Sequence, residues 1–152
     1  MVKLGSLSPP PGEIDSIVKK SQTRVWKTLT GEPEFILSVA ETQNILDKFA
    51  SSKIDLVILN VDLVASTKLS MTLPLDRLTI MIQSFNQEMS LIVKEFGGFV
   101  LKYVGDAVLA FFVVNSGHQS QGKAACAHAI NFARCMLRVT YGGIKILKKG
   151  VW

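Results

Sequence analysis

Two aspartates carry the chemistry that this sequence offers. Asp106 stands in "GFVLKYVGDAVLAFFVV", a stretch that otherwise reads as strand, and Asp62 lies near the end of "IDLVILNVDLV", residues 54–64. A lone ionised carboxylate inside apolar sheet costs several kcal/mol unless a partner meets it. Either the chain turns at Asp106 and the side chain reaches water, or a side chain or metal cation pairs with it. Gly-Asp is common in exposed hairpin turns, and a strand-end aspartate such as Asp62 can cap the next helix. The sharper reading brings both acids together. Two carboxylates held close repel each other, which favours a cation between them. Mg²⁺ or Mn²⁺, hard ions that take oxygen ligands, suit such a pair. Residues 63–67 lead from Asp62 into a turn or helix start. Free backbone N–H groups there, with Ser66 and Thr67, could hold phosphate. Carboxylates, metal and phosphate-binding amides together describe a nucleoside triphosphate site. Lys102, four residues before Asp106, is either an ion-pair partner for a carboxylate or a group that reaches a ligand.

These residues need elements that place them. Residues 54–64 form a short run rich in branched residues, with Ser-Ser-Lys before it and Ser-Thr after it, which predicts a buried strand. Leu75, Leu78, Ile82, Phe85, Met89, Ile92 and Phe96 recur at alternating intervals of three and four, while Asp76, Gln83, Gln87, Ser90 and Lys94 fall elsewhere. That spacing predicts one amphipathic helix over 73–96, with Pro74 in its first turn and Gly97 and Gly98 as its stop. Two strands, 99–104 and 107–114, then meet at Gly105 and Asp106, which predicts a hairpin. Residues 115–122 read as a polar loop and 123–139 as a second helix, with Phe132 and Met136 on its dry face and a stop at Gly142 and Gly143. Upstream, 1–12 carry Pro9, Pro10 and Pro11 and read as a flexible lead, and weaker helical patterns cover 13–30 and 34–50.

The order strand, helix, strand, strand, helix is a split βαβ unit followed by a helix, most of an α+β ferredoxin-like fold. In that topology the third strand lies between the first two and antiparallel to both. The end of strand one, with Asp62, then lies beside the start of strand three, just after Asp106.

Bulk properties set limits. A chain of 152 residues can bury one real core. The net charge of +5 is spread out, without the dense basic and aromatic pattern of a nucleic-acid surface. No run approaches the ~20 apolar residues of a membrane span, and no signal-peptide pattern is visible. Cys126 and Cys135 on one helix would sit roughly 13 Å apart along its axis and cannot bridge. A reducing cytoplasm is the simple expectation.

The paired stretches "NVDLVASTKLS" and "FGGFVLKYVGDAVLAFF" resemble the class III nucleotidyl cyclase catalytic domain, in the style of its archaeal and bacterial members, from about Ile54 to Arg138. The resemblance implies two Mg²⁺ or Mn²⁺ ions held by Asp62, Asp106 and the backbone carbonyl of Leu63. It implies a triphosphate loop at Val64, Ala65, Ser66 and Thr67, and a purine-reading Lys102. The implied reaction is ATP, with GTP as the other candidate, to a 3′,5′-cyclic nucleotide and pyrophosphate. The implied assembly is a homodimer or a pairing with a complete cyclase chain. Ala65 stands where the family usually has Gly, a mild change unless that backbone needs positive φ. No position matches the family's second purine-reading residue, or the Asn and Arg that support ribose and transition state. The expectation is therefore an N-terminal extension over 1–50 and a partial catalytic domain over 51–152 that holds the metal half of a site. Its alternative is a module of the same fold that binds nucleotide and metal, or dimerises, without turnover.

Overall fold

The computed structural model describes residues 11–30, 40–114 and 119–148. The proline lead up to Pro10, the first part of the 34–50 pattern and residues 115–118 lie outside the described residues. Among the described residues, five helices and three strands run in the order α1 (Pro11–Thr30), α2 (Ala40–Phe49), β1 (Asp55–Val61), α3 (Ser66–Thr72), α4 (Leu75–Glu95), β2 (Phe99–Val104), β3 (Ala107–Val114) and α5 (Gln119–Lys148). The sheet order is β1-β3-β2, with β3 antiparallel to both neighbours. This is the split βαβ arrangement predicted from the order of elements, an α+β fold of ferredoxin-like topology.

The core lies between one face of the sheet and helices α1, α4 and α5. Met89, Ile92 and Val93 of α4 meet Val108, Ala110 and Phe112 of β3 and Phe132, Cys135 and Val139 of α5. Phe132 presents edge-to-face contacts to Phe96 and Phe112, with ring centroids 5.4 and 5.2 Å away. Ile17 and Val18 bring α1 into the same core. Cys135 is a free, buried thiol, and burial pushes its ionisation up, so it stays in the neutral form that an apolar site tolerates.

α4 follows its apolar spacing only in part. Met89, Ile92 and Phe96 are buried, but Leu75 at the start of the helix is 78% exposed, and the buried residues of α4 begin only at Ser84. Ser90, expected away from the core, is buried and shares a hydrogen bond with the Tyr103 hydroxyl. The helix ends as the two glycines predict. Gly98 N–H donates to Val93 O and Gly97 N–H to Lys94 O, with Gly97 at φ 73°.

Two further expectations need correction. β1 is not buried on both faces. Val57, Leu59 and Val61 pack against the core, whereas Leu56 and Ile58, on the opposite face of the strand, are 40% and 65% exposed. α5 begins at Gln119 rather than 123 and runs through Gly142 and Gly143 without stopping. Gly142 is buried, and a Cβ there would fall 2.5 Å from the Gln22 amide nitrogen of α1. The residue serves close helix packing, so its punctuation value in sequence is misleading. Among the described residues no helix is long and apolar enough to cross a membrane.

Candidate functional site

The hairpin between β2 and β3 pairs Val104 with Ala107, so its turn contains only Gly105 and Asp106. Gly105 has φ 61°, which a residue with a side chain rarely adopts. The β1–β3 register sets Val61 opposite Val108. Asp62, one residue beyond, and Asp106, two residues before, therefore arrive at the same end of adjacent strands. Asp62 is exposed and Asp106 half-buried. Asp106 Oδ2 is enclosed and has no hydrogen-bond partner among the described residues. That is an unusual condition for a carboxylate oxygen, since burial without a donor or cation is costly.

The segment after Asp62 forms a tight turn into α3. Ser66 N–H donates to Leu63 O at 3.2 Å, which engages one lone pair of that carbonyl and leaves the other. Ala65 is the N-cap of α3 and lies in the left-handed region, at φ 65° and ψ 26°. This backbone does need positive φ, so alanine in place of glycine carries strain. Ala65→Gly is expected to raise stability by about 1 kcal/mol, measurable as a higher urea midpoint; an unchanged or lower midpoint would contradict the strain. No side chain caps α3, so neither Asp62, Ser66 nor Thr67 plays that part. Val64 is 90% exposed, Thr67 is exposed and Ser66 half-exposed.

Lys102 owes its position to a β-bulge. The β2–β3 pairing runs Val100↔Ala110 and then Lys102↔Leu109, a register shift of one residue. Without the shift Lys102 would oppose Val108 on the core side. With it, Lys102 falls in line with Leu109 and Asn60 on the open face, and Tyr103 turns inward to meet Ser90. Thr42 of α2 donates to Val100 O at 2.6 Å beside the bulge. Lys102 is exposed and makes no ion pair with any described residue, so the ion-pair reading of this lysine finds no partner among them.

Behind the hairpin stands a residue that motif reading missed. Asn86 of α4 is 5% exposed, and its Nδ2 donates to Gly105 O at 3.3 Å. Its Oδ1 is buried without a partner among the described residues. The signal was available: Asn86 lies four residues after Ile82 and three before Met89, within the apolar stripe of α4. Among the described residues no three or more His, Cys, Asp or Glu side chains gather as a metal-binding cluster. Asp62, Asp106 and the Leu63 carbonyl are among the oxygens at this end of the sheet.

The elements define an α+β domain with a split βαβ core and an acidic rim at the β1–β3 end. No protein-family model matches the sequence, and no curated protein matches it. A solved structure described as a bacterial light-regulated adenylyl cyclase is similar to this chain, with TM-score 0.39 and 20% sequence identity, over 82% of this chain and 36% of that one. The chain thus spans little more than a third of that structure's length.

Proposed function

We propose that this chain is the metal-holding part of a nucleotidyl cyclase that converts ATP, or GTP, to a 3′,5′-cyclic nucleotide and pyrophosphate, with a partner chain completing the site. The observation that carries the reading is Asp106 Oδ2, buried without a donor beside the strand end that bears Asp62. An oxygen-only donor set of this kind fits Mg²⁺ or Mn²⁺. Asp62, Asp106 and the free lone pair of the Leu63 carbonyl would hold two such cations. Bound there, they would supply charge neutralisation and activation for phosphoryl transfer. Val64, Ala65, Ser66 and Thr67 would line the triphosphate, and Lys102, exposed on the open face, would reach the base. In the reaction the ribose 3′-oxygen bonds to the α-phosphorus, the bond to the bridging oxygen breaks, and the hydroxyl proton passes to solvent.

Pairing with a second chain, as a homodimer or with a complete cyclase, is supported by the open face itself, where Ile58 and Val104 are 65% and 55% exposed. The same face favours the second reading, a module that binds nucleotide and metal or dimerises without turnover. A cytoplasmic setting, where nucleoside triphosphates are abundant, and the absence of any nucleic-acid role belong to both readings.

The test is cyclic AMP formation from Mn²⁺–ATP by the purified chain, alone and mixed with a complete class III cyclase whose own metal aspartates have been removed. Product is expected in the mixture and lost with Asp106→Ala. Mn²⁺–ATP binding without product in any mixture selects the second reading. Neither binding nor product refutes both.

A further inference from the structure

Asn86 has no part in the motif that suggested the site, yet its buried side chain donates to the turn that bears Asp106. It comes from a different element, 19 residues earlier in the chain. Its amide is split in function. Nδ2 holds the Gly105 carbonyl, while Oδ1 is enclosed without a donor, as is Asp106 Oδ2. A core asparagine whose amide oxygen goes unused is poorly explained by stability alone, since an apolar residue there would leave no buried orphan. Its neighbour on the same helix face makes the contrast. Ser90, one turn on, is satisfied by Asn86 O and by the Tyr103 hydroxyl.

The two-residue turn is closed at its base by the Val104–Ala107 pair, while among the described residues Asp106 has no bond at Oδ2. The bond from Asn86 is what ties this turn to the rigid centre of α4. We propose that Asn86 is a positioning residue for the divalent cation, fixing the turn so that the Asp106 carboxylate faces the metal. The inference rests on the cation reading of Asp62 and Asp106 and adds to it a residue outside their motif. Second-sphere groups of this kind typically change metal affinity by about 10-fold or more when removed.

The experiment measures Mn²⁺ binding to the full chain by electron paramagnetic resonance, without nucleotide or turnover, together with the thermal midpoint of each variant. Asn86→Ala is expected to weaken Mn²⁺ binding about 10-fold. Ser90→Ala, on the same buried face, is expected to lower the thermal midpoint and leave Mn²⁺ affinity within about 2-fold of the parent, the change a purely structural lesion gives. Should Asn86→Ala fail to fold, Asn86→Ser removes the same reach with a smaller polar group and is read in the same way. If Asp106→Ala abolishes binding while the Asn86 variant binds like the parent, the positioning role is overturned and the cation reading stands. If the parent chain shows no saturable Mn²⁺ binding, both fall together.

Discussion

Phe132→Ala is expected to destabilise the fold by about 4 kcal/mol, read as a lower urea midpoint with an unchanged slope. The side chain is fully buried and joins three elements at once. From α5 it meets Phe96 at the end of α4 and Phe112 on β3, each edge-on at interplanar angles of 75° and 70°. Truncation removes the transfer energy of a whole ring, leaves a cavity, and loses two aromatic contacts of about 1 kcal/mol each. The cavity cannot readily collapse, because its walls are a helix end and the central strand. Phe132→Leu retains most of the volume and should cost about 1.5 kcal/mol. A loss under about 1 kcal/mol for the alanine variant would mean that α5 does not seat on the sheet as described.

Arg24→Ala is expected to cost about 2 to 3 kcal/mol, more than its surface position suggests. Arg24 of α1 grips Glu88 of α4 with both ends of its fork, Nε to Oε1 at 2.8 Å and a terminal nitrogen to Oε2 at 2.7 Å. The Glu88 side chain is 5% exposed and that of Arg24 37%. Removing the arginine leaves a buried carboxylate without a counter-charge, which is the expensive way to break such a pair. The partial exposure of Arg24 places the cost at or below the lower end of the range for buried pairs. The hydrogen bond to Glu88 holds Arg24 above the usual arginine range, against the opposing effect of its own burial. A group raised in this way contributes fully below its ordinary value and loses that contribution only above it, so alkaline conditions short of denaturation leave the bridge intact. The diagnostic comparison is the paired variant Arg24→Met with Glu88→Leu. Both charges are then gone, and stability should return to within about 1 kcal/mol of the parent. A double variant as unstable as Arg24→Ala would show that packing of the arginine stem, not the uncompensated acid, sets the cost.

How far the sequence reaches is visible in particular residues. The 99–104 and 107–114 strands, the turn between them and the α4 stop at Gly97 were legible, because short periods and glycine punctuation are local properties of the chain. From these the element order followed, and with it the placement of Asp62 and Asp106 at the same end of adjacent strands, since few topologies accommodate a split βαβ unit. Other features depend on partners distant in the chain. Strict alternation from Val100 would send Lys102 into the core. The bulge reverses it, and a bulge depends on which carbonyl finds a donor, here in part Thr42. Gly142 reads as a stop until Gln22 of another helix lies against it. Glu88 looks like a wet helix position until Arg24 of α1 closes over it, and Asn86, polar within the apolar stripe of α4, finds its partner only at the Gly105 carbonyl of the hairpin. Periodicity records how each residue would like to be solvated. Only packing decides which buried polar atoms obtain a partner, and at this rim two oxygens, on Asn86 and Asp106, do not.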